Sequence, residues 1–240
     1  HMHPPPLVPL AVLRPERVAL VEDAAGRKLV LKRIPRRFLD APDARAAMAT
    51  EIRSLERLGA QAPGVAARLV AAGEDERGPW MLSTFLPTPP LGHRRFSAPE
   101  EAFSRSLEAL ATIHGAGVIH GDPSPDNWLV DDAGAFGIDF DLGRMLDEEC
   151  IIHAAVRGTL AVAAPAVLRG APPNAATDRY ALAASFAAVL LGAPLRTLAG
   201  GPVAVLARGA EEKLPRSALD AIARPLADAL YTYLADPAAT

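Results

Sequence analysis

Three side chains suited to phosphate and metal chemistry lie close together in the segment 120–143. Asp122 belongs to a short polar loop, Asn127 follows it, and Asp139 comes directly after an apolar run. Residues 128–138 read as two short apolar runs separated by a glycine-containing turn, which is typical of a β-hairpin. Because a hairpin returns the chain on itself, the oxygen atoms of the three side chains are expected to converge.

A magnesium ion in a protein prefers oxygen ligands, keeps several waters and takes one or two carboxylates together with phosphate oxygens. Asn127 and Asp139 are therefore the predicted metal ligands. Asp122 is left to orient or deprotonate a hydroxyl group. The alternative interpretation is an acidic turn, strand and turn in some α/β domain, without this chemistry.

The same residues resemble the catalytic loop and metal-binding segment of the protein-kinase superfamily. The family pattern is His-Arg-Asp, four residues, Asn, and then Asp-Phe-Gly after a strand. Here His-Gly-Asp ends at Asp122, Asn127 follows at the same spacing, and Asp139 begins Asp-Phe-Asp. The tripeptide alone is a weak signal, but the joint spacing is specific. The resemblance implies ATP and Mg²⁺ as cofactors.

The resemblance also implies an α+β fold with two lobes. Residues 1–86 are expected to form a small N-lobe with a five-stranded sheet and one main helix, after a cloning remnant and a proline-rich lead. Residues 87–240 are expected to form a mostly helical, shortened C-lobe with the catalytic loop. The predicted strands of the sheet cover residues 10–13, 17–22, 28–34, 67–71 and 80–86, and the predicted helix covers residues 41–58.

Lys32 lies inside an apolar strand, and Glu51 follows nineteen residues later on the predicted helix. In kinases a strand lysine pairs with a helix glutamate and holds the α- and β-phosphates. The resemblance therefore assigns Lys32 and Glu51 to these roles, with Glu56 as the competing glutamate. Phe85 and Leu86 fall in the linker between the lobes, where backbone groups meet the adenine.

Asp178 precedes an apolar helix at 180–191 that resembles the buried central helix of the kinase C-lobe. Two roles stay open for it: capping the free N–H groups of that helix, or binding the backbone of the catalytic loop as in the family. Residues 157–159 and 164–166 resemble the end of an activation segment.

The clearest departure from the family is the missing glycine-rich loop. The turn at 14–16 contains no glycine, and Pro15 lacks an N–H group, so few backbone donors can reach phosphate oxygens. Nucleotide binding is therefore expected to be weak and to depend strongly on Mg²⁺. Arg14 and Arg17 are candidates to substitute electrostatically.

Three further departures bear on regulation and substrate. Gly121 replaces the arginine that binds an activation-loop phosphate, so control by phosphorylation of that loop is not expected. Ala166 replaces a glutamate whose ion pair braces the C-lobe. Ser124 stands where a lysine is usual, and this pattern, together with Asp-Phe-Asp, resembles small-molecule and lipopolysaccharide-sugar kinases.

The predicted function is transfer of the γ-phosphate of ATP to a hydroxyl, with Ser or Thr of a protein as the first choice of acceptor. A small-molecule or sugar kinase of the same fold is one alternative. A pseudokinase that acts as a binding module is the other.

Composition and net charge limit the classes of binding partner and the cellular location further. The 240 residues carry a net charge of −3 with a pI near 6.1, which gives no electrostatic case for nucleic acid. The single Cys150 excludes an internal disulfide and fits a reducing compartment. No apolar run approaches the roughly 18 residues needed to span a bilayer. The expected location is the cytoplasm.

Overall fold

A computed structural model describes residues 2–93, 95–148 and 158–235 of the chain. The predicted features at 149–157, including Cys150 and Arg157, lie outside the described residues. The described part confirms the predicted α+β class and its two lobes, a sheet with one long helix followed by a helical region.

The elements follow one another in chain order. The strands are β1 (Val8–Arg14), β2 (Val18–Glu22), β3 (Lys28–Arg33), β4 (Leu69–Asp75), β5 (Gly78–Thr84), β6 (Val118–Ile119), β7 (Trp128–Val130), β8 (Ala135–Gly137) and β9 (Arg144–Met145). The α-helices are α1 (Pro42–Gln61), α2 (Pro99–Gly115), α3 (Pro165–Leu168), α4 (Ala175–Leu191), α5 (Gly201–Ala210) and α6 (Arg224–Ala235). Short 3₁₀ turns occur at Arg36–Phe38, Leu91–His93, Phe140–Leu142 and Arg216–Leu219.

The N-lobe sheet has five antiparallel strands in the order β1-β2-β3-β5-β4. Val21, Leu29, Trp80 and Leu82 are buried together on this sheet. The central position of β3, between β2 and β5, places Lys32 in the interior of the sheet, where it is 7% exposed. A lysine in that position must have charged partners, because an unpaired buried ammonium is very costly.

The strand predicted at 10–13 runs from Val8 to Arg14, and two further predicted strands also have the wrong bounds. The strand predicted at 67–71 runs from Leu69 to Asp75, and the one predicted at 80–86 begins at Gly78 and ends at Thr84. The cause is a tight turn, in which Gly78 has a φ of +95° and the Arg77 N–H group donates to Asp75 Oδ1 at 2.9 Å. Because the turn is this short, β4 continues to Asp75 and β5 begins at Gly78.

The helix predicted at 41–58 also continues further than expected, because Gly59 does not interrupt it. Helix α1 reaches Gln61, and the Ala62 N–H group donates to the Leu58 carbonyl at 2.9 Å. Its buried positions follow helical spacing: Met48, Glu51, Ser54, Leu55 and Leu58. Glu51 therefore lies on the apolar face of the helix and is turned toward the interior of the lobe.

The C-lobe is built around α4, which is buried along most of its length. Phe186 and Leu182 are fully buried, and the Phe186 ring meets the Phe103 ring of α2 edge-on at 5.1 Å. Helix α6 packs against the same helix. Among the described helices, none combines the length and apolar character that crossing a bilayer requires.

The start of α4 shows that Asp178 is not the N-cap of this helix, so the capping alternative is wrong. Asn174 is the N-cap: its side chain accepts the Thr177 N–H group at 3.0 Å, and the Asn174 N–H group donates to the Thr177 hydroxyl at 2.8 Å. The helix begins at Ala175 and not at Tyr180. Because Asn174 already caps the helix, the Asp178 carboxylate is available for other partners.

A largely buried ion pair holds the segment before α3 in place. Arg196 is 2% exposed, and its Nε donates to Glu212 Oε2 at 2.7 Å. The rest of the guanidinium donates to the carbonyls of Ala163, at 3.0 Å, and Leu160. Glu212, which follows α5, thus fixes the guanidinium that holds the segment before α3.

Replacing Glu212 by Gln tests this contact. The substitution keeps an acceptor of the same shape but removes the charge that Arg196 faces, so we expect a loss of about 1–2 kcal/mol in the free energy of unfolding. Urea denaturation measures it, with Glu211→Gln as the control, since Glu211 is the exposed neighbour. Equal stability of the two variants would show that the pair does not brace the lobe.

Candidate active site

The catalytic-loop segment is held by Asp178, which is 1% exposed. Its Oδ2 accepts the His120 N–H group at 2.8 Å and its Oδ1 accepts the Gly121 N–H group at 2.9 Å. His114 Nε2 also lies 2.9 Å from Oδ2. Hydrogen bonds to an ionised acceptor are roughly twice as strong as neutral ones. Helix α4 therefore fixes the backbone of the loop just before Asp122.

A further hydrogen bond from α4 and a glycine also determine the conformation of the loop. The Ser185 hydroxyl donates to the Pro123 carbonyl at 3.0 Å. Gly121 has a φ of +87°, and a Cβ atom built there would lie 2.1 Å from the Leu142 carbonyl oxygen. The loop thus excludes any side chain at Gly121. The absence of an arginine there follows from the backbone conformation of the loop.

His120 is fully buried beside the Phe140 ring, with the ring centroids 4.5 Å apart. Its Nδ1 accepts the Asp122 N–H group at 3.3 Å. Burial lowers the pKa of His120, although Asp178 opposes this shift. The neutral ring is thus part of the packing under the loop.

Asp122 itself is 8% exposed and accepts hydrogen bonds from two sides. Thr159 donates its N–H group to Oδ1 at 3.2 Å and its hydroxyl to Oδ2 at 3.0 Å. Asn127 Nδ2 lies 3.2 Å from the Asp122 carbonyl and 3.3 Å from Oδ2. Burial raises the pKa of Asp122 to about 6, while the bonds from Thr159 work against that rise.

Lys32 bridges two carboxylates that come from distant parts of the chain. Its ammonium contacts both Glu51 Oε2, on α1, and Asp139 Oδ1, after β8. The competing Glu56 is exposed to solvent. Burial alone would lower the pKa of Lys32, but the charges of Glu51 and Asp139 raise it. The lysine is therefore charged and joins the sheet, the helix and the hairpin.

The β7–β8 hairpin brings Asn127 and Asp139 next to each other, since the Ile138 N–H group donates to the Asn127 carbonyl at 3.0 Å. Asp139 has a φ of +64° and a ψ of +61°. This left-handed conformation is uncommon for a residue other than glycine, although aspartate is among those that tolerate it. Here it directs the carboxylate to Lys32.

Two arginines from the β1–β2 hairpin also reach Asp139. Arg14 Nη1 donates to Asp139 Oδ2 at 2.7 Å. Arg17 Nη2 lies 3.6 Å from Asp139 Oδ1 and donates to Asp141 Oδ2 at 2.7 Å. Burial by itself would raise the pKa of Asp139, but Lys32, Arg17 and Arg14 hold it well below its ordinary value.

A cavity of about 560 Å³ lies between the lobes. It is lined by apolar side chains of the sheet and of the hairpin, together with Lys32, Glu51 and Asp139. Phe85 and Leu86 line it where the chain passes from one lobe to the other. The Phe85 N–H group donates to the Lys28 carbonyl at 3.3 Å and Pro87 has none, so Leu86 carries the next backbone donor.

The side chains present fit a metal that arrives with phosphate groups, and not a metal held by protein alone. Among the described residues, no three His, Cys, Asp or Glu side chains are grouped so that they could hold an ion. Asp139 offers a carboxylate. Asn127 turns its amide nitrogen to Asp122, which directs its amide oxygen elsewhere. One carboxylate, one amide oxygen and phosphate oxygens are the ligand set that Mg²⁺ uses in nucleotide sites.

Sequence reasoning missed Ser185 and the direct contact between Thr159 and Asp122. A signal for Ser185 existed, since it is a hydroxyl residue within the otherwise apolar stretch of α4. Thr159 lies in the segment that resembles the end of an activation segment, but that resemblance predicted no contact with Asp122, which is 37 residues away. Only the folded chain brings these two side chains together.

The sheet with one helix, the helical C-lobe and the cleft between them define a protein-kinase-like fold. No model of a known protein family matches the chain. It is 28% identical over 175 residues to the probable serine/threonine-protein kinase PkwA of Thermomonospora curvata, covering 69% of this chain and 23% of that protein.

Two further relatives give the same result. Over 184 residues the chain is 32% identical to the DNA damage-responsive serine/threonine-protein kinase RqkA of Deinococcus radiodurans, covering 70% of this chain and 26% of that protein. Over 115 residues it is 35% identical to the serine/threonine-protein kinase PkaB of Streptomyces coelicolor, covering 42% of this chain and 28% of that protein. The matches span only about a quarter of the length of these curated relatives. They confirm the predicted resemblance to the protein-kinase-like superfamily.

Replacing Gly121 by Ala tests the loop geometry. The new Cβ would meet the Leu142 carbonyl and the residue would keep a positive φ, so we expect a loss of about 1–3 kcal/mol in the free energy of unfolding. The matched control is Gly59→Ala, because a Cβ atom at Gly59 meets nothing within 4 Å and alanine suits a helix. Urea denaturation of both variants gives the comparison. A stable Gly121→Ala protein would mean that the loop adopts another conformation.

Proposed function

We propose that the chain is an ATP- and Mg²⁺-dependent phosphotransferase that moves the γ-phosphate to a hydroxyl group, with Ser or Thr of a protein as the acceptor. The observation that carries this proposal is the position of Lys32. Its ammonium contacts Glu51 and Asp139, and all three residues line the interlobe cavity. This is where a buried cation can bind the phosphates of a nucleotide whose base occupies the rest of the cavity.

In this proposal Lys32 binds the α- and β-phosphates and Glu51 holds it in position. A lysine has several rotatable bonds, and a contact that fixes its ammonium before the nucleotide arrives reduces the entropy lost on binding. Glu51 is 5% exposed, so the pair is shielded from the screening that weakens surface ion pairs. Both residues lie on rigid elements, β3 and α1.

Asn127 and Asp139 are the proposed metal ligands. A magnesium ion held there would neutralise charge that develops on the transferring phosphate. The hairpin supports this assignment, because the Ile138–Asn127 hydrogen bond keeps the two ligands together at the open end of the hairpin. Asp139 also contacts Lys32, so the proposed metal and phosphate sites adjoin.

Asp122 is the proposed base. The acceptor hydroxyl would give its proton to the Asp122 carboxylate as its oxygen bonds to the γ-phosphorus, while the bond to the β-phosphate breaks and ADP leaves. The Thr159 hydroxyl, 3.0 Å from Asp122 Oδ2, already occupies one position that suits a donor hydroxyl. A burial-raised pKa of about 6 makes this carboxylate more basic than an exposed aspartate.

The names of the relatives support a protein acceptor, since each of the three compared above is a serine/threonine-protein kinase. Ser124, which is 2% exposed, occupies the position of the usual lysine and favours the alternative, a small-molecule or sugar acceptor. A second candidate function is a catalytically impaired pseudokinase that acts as a binding module, favoured by the arginine that contacts Asp139 Oδ2 at 2.7 Å.

Transfer of labelled γ-phosphate from ATP separates these functions. We expect phosphate to appear on a protein acceptor such as casein, and Asp122→Asn to reduce the rate by about 10²–10⁴-fold, the usual contribution of a general base. Asp132→Asn is the matched control, because Asp132 is an exposed aspartate in the β7–β8 turn.

Each other outcome of this assay has a distinct meaning. Label transferred only to free sugars would favour the small-molecule kinase. ATP binding without transfer to any acceptor would favour the binding module. Equal rates for the Asp122 and Asp132 variants would contradict the assignment of the base.

A second prediction concerns the adenine contact. If the Leu86 N–H group donates to the base, Leu86→Pro should weaken binding of both ATP and adenosine by up to about tenfold, because one neutral hydrogen bond is lost. Leu86→Ala keeps the N–H group and serves as the control for the lost side chain. Calorimetric titration measures both. Identical affinities for the two variants would place the donor elsewhere.

A further inference from the structure

The β1–β2 turn carries two arginines in place of glycines, and both side chains cross to the other lobe. Arg14 and Arg17 flank the turn, and their partners Asp139 and Asp141 are more than 120 residues away. Pro15 has no N–H group, and Glu16 has a φ of +57°. The backbone of this turn is thus poorly suited to bind phosphate, whereas its guanidinium groups are aimed into the cleft.

The two oxygens of the Asp139 carboxylate are both engaged by cations. Lys32 contacts Oδ1, and Arg14 Nη1 donates to Oδ2 at 2.7 Å. Each oxygen keeps a further lone pair, but a metal ion that used it would lie directly beside a cation. Displacement of one of the cations therefore favours coordination of the magnesium ion that the proposed function requires.

Arg14 is the cation that can leave most readily. The Lys32 side chain is 9% exposed and is also bound to Glu51. Arg17 has Asp141 as its nearer partner, at 2.7 Å compared with 3.6 Å for Asp139. The Arg14 side chain is 43% exposed and lies at the solvent side of the cluster. Moving it breaks one ion pair and leaves the other contacts in place.

We propose that Arg14 is a displaceable phosphate ligand. In the structure its guanidinium binds Asp139 Oδ2; when a nucleoside triphosphate binds with its metal, Asp139 would hold the metal and Arg14 would bind the phosphates. Phosphates bound next to Asp139 would leave the guanidinium only a short distance to move. This inference rests on the proposed function and names the group that replaces the glycine-rich loop.

Charge supports this exchange. The cluster contains three cations, Arg14, Arg17 and Lys32, and three carboxylates, Glu51, Asp139 and Asp141. A divalent ion entering a neutral cluster repels the cation beside it, and the polyphosphate offers that cation a new partner. Guanidinium groups bind phosphate through two parallel hydrogen bonds, which a lysine cannot do.

In the opposite role, Arg14 would stay bound to Asp139 and prevent a metal ion from binding there. The two roles predict opposite effects of Arg14→Ala on ATP binding in the presence of Mg²⁺. If Arg14 is a phosphate ligand, the variant binds ATP at least about tenfold more weakly, as expected when a charge-assisted hydrogen bond is lost. If Arg14 is a block, the variant binds ATP more tightly.

The experiment is calorimetric titration of the wild type, Arg14→Ala and Arg27→Ala with Mg²⁺-ATP and with adenosine. Arg27 is the matched control, because its exposed side chain lies in the β2–β3 turn and pairs only with Asp23 among the described residues. We expect the Arg14 variant alone to lose ATP affinity. Adenosine has no phosphate, so its affinity should be the same in all three proteins.

A second titration with Mn²⁺ in the absence of nucleotide tests the displacement itself. Removal of Arg14 frees Asp139 Oδ2, so Arg14→Ala should bind Mn²⁺ several-fold more tightly than the wild type, while Arg27→Ala should not. No gain in Mn²⁺ affinity contradicts the competition for this oxygen.

The failure of this inference is distinguishable from failure of the proposed function. Equal or tighter ATP binding by Arg14→Ala, with normal adenosine binding, overturns the role of Arg14 and leaves the nucleotide site intact. A wild-type protein that binds neither ATP nor adenosine overturns both. Loss of adenosine binding in Arg14→Ala alone would mean that the arginine supports the fold of the cleft, and would overturn its role as a phosphate ligand.

Discussion

The structure depends on one buried ammonium group placed between two carboxylates. Removing an ammonium and a carboxylate from water costs several kcal/mol for each ion, and their attraction compensates only when the geometry is good. Lys32 meets this requirement by contacting Glu51 and Asp139 together. A hydrophobic residue at this position would satisfy the packing of β3 equally well. The charged group therefore indicates a site, and it also couples the sheet, α1 and the β7–β8 hairpin.

The catalytic-loop segment is fixed by a different physical means, the requirement that buried backbone groups be hydrogen-bonded. The His120 N–H group is buried in the C-lobe and the Gly121 N–H group is partly buried there. Asp178 satisfies both, and it can do so because Asn174 caps α4 in its place. The position of Asp122 thus follows from a helix that is more than fifty residues further along the chain.

The polar residues of the cleft could be proposed from the resemblance to the kinase pattern, because the spacing of that pattern is tied to regular elements. Lys32 and Glu51 lie on a strand and a helix, and Asn127 and Asp139 lie at the ends of a hairpin. The bounds of β4, β5 and α1 were predicted wrongly, since the position of the turn at Gly78 and the continuation of α1 through Gly59 depend on tertiary packing. The Arg196–Glu212 pair could not be predicted, because nothing local links an arginine after α4 to a glutamate after α5.

The missing glycine-rich loop has a consequence that follows from the difference between backbone and side-chain donors. Backbone N–H groups in a formed turn are already ordered, whereas an arginine carries about 2 kcal/mol of rotamer entropy that is lost when it is fixed. Arg14 loses part of this entropy before any ligand binds, since Asp139 already holds it. Exchanging one anionic partner for another then costs less than ordering a free side chain. A cleft that is preorganised by its own ion pairs can therefore replace a flexible loop, and its ligand binding should weaken as salt screens the half-exposed guanidinium.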